Sequence, residues 1–231
     1  NDRIPMTDNC KIVFEVENLN NASPATVSRA GIIYVSQSDL GPEPVWTTWL
    51  KRRTDHAASR DVEADMIGKC FDKWIKGPEL FDFLMRQIQT VMAMNDTVFM
   101  NQVLNLLDGQ LNKHVEAGEI LSEIAYKRVT LFAISWAFAG LCETDMRKKF
   151  NEKLFEVVTA AGDAAALPTV AEGLTIFEYV PDIEDKEKNW ISWSVPDWKP
   201  PKKLNFSSLL IPTLDSVRID FIMTIMGQIP R

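Results

Sequence analysis

The chain lacks the strings by which most enzymes announce their chemistry. No Gly-x-x-x-x-Gly-Lys-Ser/Thr string occurs, and that string is what cradles nucleotide phosphates with backbone N–H groups and a lysine. The single Gly-Lys pair is Gly68-Lys69, with Glu63 in place of the first glycine and Cys70 in place of Ser/Thr. It also falls in a segment with helical spacing. No apolar run ends in Asp-Glu or Asp-Asp to hold a magnesium ion. This chain by itself is therefore expected neither to bind ATP–Mg tightly nor to hydrolyse it. Gly-x-Gly-x-x-Gly and Gly-x-Ser-x-Gly are absent as well. Only three cysteines (Cys10, Cys70, Cys142) and two histidines (His56, His114) occur in 231 residues. Their wide spacing, without a Cys-x-x-Cys pair, indicates neither a zinc site nor a disulfide framework, and free thiols suit a reducing compartment. No apolar run reaches the roughly 20 residues of a membrane span; residues 131–142 come closest. No secretory leader is expected. The first residue is not Met, and both ends read as cuts through a longer chain. The net charge of −7 comes without a basic stripe, which argues against a nucleic-acid partner.

What is present is ordinary globular composition, 46% hydrophobic and 25% charged, enough for one large domain or two small ones. Four zones can be drawn. Residues 1–37 hold two strand-like runs, 11–16 and 32–35, rich in Val, Ile and Phe. Residues 38–162 are helical. Residues 163–203 contain Pro168, Pro181, Pro196, Pro200 and Pro201 together with a probable hairpin. Residues 204–231 begin a new unit, with Thr213 or Asp215 capping a helix that stops at Gly227.

The helical zone carries about five packed helices. Val45 to Leu50 reads as a short amphipathic helix. Val62, Met66, Ile67, Cys70, Phe71 and Trp74 recur at helical spacing. Pro78 opens a helix presenting Phe81, Leu84, Met85, Ile88, Val91 and Met92 on one face. Asn95, Asp96 and Thr97 are cap candidates for a helix with Val98, Val103, Leu104 and Leu107 inward. Residues 122–141 read as a buried helix, and Thr144 or Asp145 caps the next. The Met and aromatic stripes, with Trp136 among them, read as core packing. Lys51-Arg-Arg53 reads as a solvated helix end, and Asp61, Glu63 and Asp65 as a solvated helix face. His114 reads as a cation near a helix end. Ile176-Phe-Glu-Tyr-Val180 and Trp190-Ile-Ser-Trp193 flank a charged loop at 182–188. Packing of their aromatics on the helices is preferred over a partner-binding finger. The stretch 196–201 reads as a semi-rigid linker.

The most informative segment lies between the two strand-like runs: Asn18-Leu-Asn-Asn-Ala-Ser-Pro-Ala-Thr-Val-Ser-Arg-Ala-Gly31. A polar stretch that presents one Asn and one Arg beyond a strand end suits a phosphate-bearing ligand, because Arg is a planar five-donor cation. On local pattern alone, a connector whose Arg caps something or lies on the surface is the preferred reading.

The wording of this segment closely resembles the second AAA+ module of dynein heavy chains, of axonemal rather than cytoplasmic type. Arg3-Ile-Pro-Met-Thr-Asp-Asn-Cys10 resembles the stretch after Walker B. Ser135-Trp-Ala-Phe-Ala-Gly140 with Arg147-Lys-Lys-Phe150 resembles the small domain. Ile176-Phe-Glu-Tyr179 and Trp190-Ile-Ser-Trp193 resemble the region after it, and Ile211-Pro-Thr-Leu-Asp-Ser-Val-Arg218 the lead-in to the third module. The blocks keep the family's order nearly end to end. Asp39-Leu-Gly-Pro42 departs from the family's usual Asp-Leu-Gly-Trp, which touches the geometry leading into the small subdomain.

The resemblance implies a mainly α fold with a minor β part. Residues 1–37 would be the C-terminal remnant of an AAA+ large subdomain with two strands, 38–162 a complete helical small subdomain, 163–203 a β-hairpin and Pro-rich linker, and 204–231 the start of the next module. It further implies that Asn18 is the sensor I residue and Arg29 an arginine finger acting in trans on the first module. No sensor II residue can be placed. Cofactors would be none for this piece, and ATP and Mg2+ for the whole motor ATPase. Partners would be the neighbouring AAA+ modules of the same heavy chain, and microtubules and other dynein chains through the whole protein, in a ciliary or flagellar axoneme, without nucleic acid or membrane. The rival readings are a stand-alone helical interaction module and, more weakly, a small-molecule enzyme.

Overall fold

The computed structural model describes residues 7–35, 41–56, 60–76, 78–183, 189–199 and 211–229. Residues 3–6, 39–40, 184–188, 200–201, 204–210 and 230–231, on which several of the expectations above fall, lie outside the described residues, as does the His56 side chain. The chain divides into two compact units, residues 1–39 and 40–231.

In the first unit, the strand-like runs at 11–16 and 32–35 are not hydrogen-bonded into a sheet among the described residues. Val13, Phe14, Ile33 and Tyr34 are each about four-fifths exposed or more, at 91%, 79%, 90% and 83%. A strand satisfies its backbone groups only through neighbouring strands, and none is described here. Between the two runs sits α1 (Pro24–Val27), a single turn.

The second unit is the helical body. Gly41 adopts φ +59, a left-handed geometry that glycine takes without a Cβ penalty. Val45 N–H then bonds Pro42 O and α2 (Glu43–His56) begins. This helix buries Trp46, Trp49 and Arg53 on one side, at positions that share a face. Next, α3 (Arg60–Trp74) turns Ile67, Cys70, Phe71 and Trp74 inward. Val62 is left half-exposed and Glu63 goes inside instead, the reverse of the sequence expectation, because Glu63 meets a cation there. α4 (Pro78–Gln87) is shorter than its apolar pattern predicts. Val91 and Met92 are exposed, and Val91 N–H bonds Leu141 O at 2.9 Å, so the chain has left the helix by then.

Asn95 caps α5 (Asp96–Glu116), its side chain accepting from Val98 N–H at 2.8 Å. Phe99, Met100, Val103, Leu104, Leu106, Leu107 and Leu111 are buried, whereas Val98 is not. Ser122 caps α6 (Glu123–Ala139), which is buried on nearly all sides. A helix apolar all round belongs at the centre of a core. Its buried Thr130 and Ser135 hydroxyls donate to carbonyls four residues back at 2.8 Å each, so neither is buried without a partner. α7 (Thr144–Ala160) starts at Glu143, with no side-chain cap from Thr144 or Asp145. Arg147 instead donates to the Ala139 and Gly140 carbonyls at 3.0 and 2.9 Å, closing the C-terminal end of α6 with a cation.

A two-stranded antiparallel sheet follows, β1 (Tyr179–Pro181) and β2 (Trp190–Ser192), with Val180 opposite Ile191. The aromatics around it pack on the body. Trp190 Nε1 donates to Ala166 O, Trp193 Nε1 donates to Phe177 O, and Phe177 meets Trp136 edge-on at 5.4 Å. Thr213 and Ser216 cap α8 (Leu214–Gly227) reciprocally. Phe221 contacts Phe132 and Trp193 edge-on at 5.8 and 5.3 Å. Where α8 crosses α5, a Cβ on Gly109 would stand 2.3 Å from the Ile225 carbonyl oxygen, so only glycine permits that approach. The architecture is thus mainly α with a minor β part, a helical small subdomain.

Candidate functional site

The polar segment of the first unit is organised by its own side chains. Asn18 Oδ1 accepts from Asn20 N–H at 3.1 Å, a turn in which a short amide mimics backbone. Ser23 caps α1, accepting from Thr26 N–H at 3.2 Å, and Pro24 fills the first helical position. The turn closes with Arg29 N–H bonded to Thr26 O and Ala30 N–H to Val27 O, both at 3.3 Å. Arg29 therefore leaves from a short capped turn. Its side chain is exposed, and among the described residues no carboxylate or carbonyl holds its guanidinium. Asn18 is exposed as well. Such a cation, anchored at its backbone and unengaged at its head, can take a bidentate oxyanion without breaking an existing pair.

The helical body holds three polar centres that the sequence reading missed. In the first, Arg53 is buried, bonded through Nε to Glu63 and through Nη1 to Asp108, and stacked over Trp49 at 4.7 Å. Trp49 Nε1 also donates to Asp108 at 3.0 Å. Burial pushes the Asp108 carboxyl up, while Arg53 and Trp49 pull it back. The basic run 51–53 and the acidic set at 61, 63 and 65 are thus not wholly solvated. Arg53 and Glu63 are each turned inward because each neutralises the other. Only the helical offset of ten residues across a loop could have hinted at the pair.

In the second, Asp163, in the turn after α7, accepts from Lys127 at 2.8 Å, Trp74 Nε1 at 3.2 Å and Lys73 at 3.3 Å. Burial raises the Asp163 carboxyl, but Lys127 and Lys73 outweigh it and hold the group below the ordinary carboxylate range. This one side chain ties α3, α6 and the end of α7. The third centre lies against the same N-terminal part of α6, where Arg128 follows Lys127. His114 is buried, and its Nδ1 stands 3.0 Å from Glu119 Oε2. It is therefore a core histidine and not a solvated helix-end cation. His114 and Arg128 both line an open cavity of about 800 Å³. The signal for Arg128 was the Lys127-Arg128 pair at the head of the apolar run that follows it.

Among the described residues no group of three or more His, Cys, Asp or Glu is placed to hold a metal ion, and no helix is long and apolar enough to cross a membrane. Cys70 is buried and pushed up to about 12, first by desolvation and then by Asp163; Cys142 is also buried and raised, and Cys10 is exposed. Neither buried thiol is activated.

A helical body followed by a two-stranded hairpin is the arrangement on which the family comparison falls, and that comparison is to a lid of the AAA class. The description "Dynein heavy chain AAA lid domain" matches residues 67–195, more than half of the chain. This chain belongs to the dynein heavy chains. It is 38% identical over its whole length to the dynein gamma chain, flagellar outer arm, of Chlamydomonas reinhardtii. It is 33% identical over 98% of its length to mouse dynein axonemal heavy chain 8, and 31% identical over 98% to rat dynein axonemal heavy chain 5. These relatives are far longer: the chain spans 5%, 5% and 6% of them.

Proposed function

We propose that this chain is part of the motor ring of an axonemal dynein heavy chain, where it couples the nucleotide state of neighbouring AAA+ modules. In this reading residues 1–37 complete the large subdomain of the second module and the helical body is its lid. Asn18 reads the nucleotide of its own module. Arg29 reaches the γ-phosphate held by the first module and stabilises the negative charge that develops on its oxygens during transfer to water. A fixed guanidinium lowers that barrier, and such fingers are worth about 10³–10⁵ in rate in GTPases. ATP and Mg2+ would be bound by the whole heavy chain, and the ring's output would reach a microtubule in a cilium or flagellum. The name of the algal relative favours an outer-arm chain.

The observation that supports this most directly is the exposed Arg29 guanidinium. It sits at the end of a capped turn, with no internal partner among the described residues, in a chain whose remainder is a dynein lid. The packing of the helical body supports the coupling role. Charge knots and a shared aromatic core make it rigid, and a rigid block transmits displacement from one neighbour to the next.

The test is Arg29→Ala in the intact heavy chain. Microtubule-stimulated ATP turnover should fall at least tenfold, while the melting temperature of the 231-residue piece stays within about 1 °C, as befits an exposed side chain. Arg29→Lys should recover little, because a point charge does not reproduce the fork. Unchanged turnover in Arg29→Ala would remove the finger assignment and leave the family membership standing.

A further inference from the structure

Helix α8 meets α5 at close range, and the atoms that meet are backbone. A Cβ built on Gly109 would stand 2.3 Å from the Ile225 carbonyl oxygen and 2.8 Å from its carbon. A side chain escapes overlap by changing rotamer; a backbone carbonyl cannot. Nor is α5 free to roll aside, since the neighbouring Asp108 is held by Trp49 and Arg53 of α2. Two further contacts fix α8 along its length. Phe221 stands edge-on to Phe132 of α6 and to Trp193 just after β2. Arg218 Nη2 lies 3.5 Å from Glu178 Oε1, and the other oxygen of Glu178 accepts from the Thr175 N–H at 2.7 Å. The far face of α8 has no such grip: Ile219 and Met223 are 61% and 67% exposed. α8 is thus held from one side, at a depth that Gly109 sets.

We infer that α8 is seated on the helical body as a fixed strut keyed by Gly109, and that Gly109 is a positioning residue for movement passed from the lid to the part of the heavy chain that follows α8. The second clause rests on the coupling role proposed above; the first does not. The seat inverts an ordinary sign. In a helix interior, replacing glycine by alanine usually stabilises. At Gly109 the added methyl should instead lift α8 off α5, because close-packed contacts have no slack for an overlap of that size.

The test is Gly109→Ala, read first by amide hydrogen exchange in the 231-residue chain. Amides of residues 221–225 should exchange at least about tenfold faster, while those of α6 stay within about threefold. General destabilisation would speed both alike, so parallel acceleration, or none, overturns the seat. The control is Gly68→Ala in α3, whose Cβ would meet the Leu50 side-chain end at 3.3 Å; the same release of α8 there overturns the seat as well. If Gly109→Ala does not fold, the native chain decides: residues 221–225 should exchange at least about a thousandfold below intrinsic rates, and Phe221→Ala should release them about tenfold. Near-intrinsic exchange in the native chain overturns the proposal. In the intact heavy chain, Gly109→Ala should cut microtubule-stimulated ATP turnover at least about fivefold and leave basal turnover within about twofold. Released α8 exchange with stimulation intact, or equal loss of both turnovers, overturns the positioning role. Arg29 is tested separately, since its substitution should lower turnover with α8 still seated.

Discussion

The two units of this chain handle apolar residues in opposite ways. In the helical unit Phe99, Phe132 and Phe138 are at most 2% exposed, and Phe99 meets Phe138 edge-on at 5.0 Å. In the first unit Phe14 is 79% exposed and Val13 91%. Composition does not explain the contrast, since both segments are rich in Val, Ile and Phe. Hydrogen-bond range does. Among the described residues of the first unit the side-chain bonds reach three residues at most, whereas Trp74, Lys127 and Asp163 join positions up to 89 residues apart. A helix satisfies its backbone internally and needs a partner only for its apolar stripe. A strand needs partners for both. The helical unit therefore builds its core from its own helices, and the two apolar runs have no strand partners among the described residues.

The contrast is sharpened most strongly by truncating the core. Phe138→Ala should cost about 3–5 kcal/mol, read as a loss of denaturation midpoint in urea. A cost below about 1 kcal/mol would mean the helical unit is loosely packed and the comparison is wrong.

The Asp163 knot should show a smaller effect that depends on pH. Its folded carboxyl is held below the ordinary range by Lys127 and Lys73 against the pull of burial. The folded state thus binds this proton less readily than the unfolded one. The stabilisation is fully present above the unfolded value, about pH 4, and is lost as pH falls through the folded value. Asp108 acts in the opposite sense, because burial raises it, so its contribution weakens as pH rises out of the acid range. Asp163→Asn should cost about 2–3 kcal/mol near pH 7 and flatten the acid flank of the Tm–pH curve. An acid flank unchanged by the substitution would show that the knot is not what acid breaks.

Thiol reactivity divides the units more gently. Cys10 is exposed, while Cys70 and Cys142 are buried with raised pKa values. Under native conditions near pH 8 an alkylating reagent should modify one thiol promptly, at Cys10, and reach the other two only after unfolding, as peptide mass mapping can show.

Much of this arrangement was legible from residue order. Asn95, Ser122 and Thr213 are small polar residues ahead of apolar periodicity, and all three cap helices. Burial of α6 followed from its nearly uncharged length. Other features were hidden because they depend on partners distant in sequence. Periodicity placed Val62 and Val98 inward, yet the nearby Glu63 took an interior place through Arg53, and Phe99 and Met100 displaced Val98. At His114 the sequence showed a helix-end histidine, but not that it would be buried beside Glu119. The Asn18 and Arg29 turn was readable locally, through Ser23, Pro24 and the Asx geometry. What those side chains would meet in the proposed ring is set by residues distant in sequence, which no local pattern encodes.

The smallest predicted effect probes the first unit directly. If the runs at 11–16 and 32–35 find no cover within this chain, then removing the Phe14 ring takes nothing out of a core. Phe14→Ala should leave the stability of the 231-residue chain within about 0.5 kcal/mol, against several kcal/mol for the same change at Phe138. Backbone amides of the two runs should exchange with solvent near intrinsic rates, while those of α6 exchange only through global opening. In the intact heavy chain the proposed sheet would bury the ring, and the same substitution should there cost about 3 kcal/mol or more. Equal costs in the short and the intact chain would show that Phe14 never enters a sheet, and the placement of residues 1–37 in a large subdomain would fall with it.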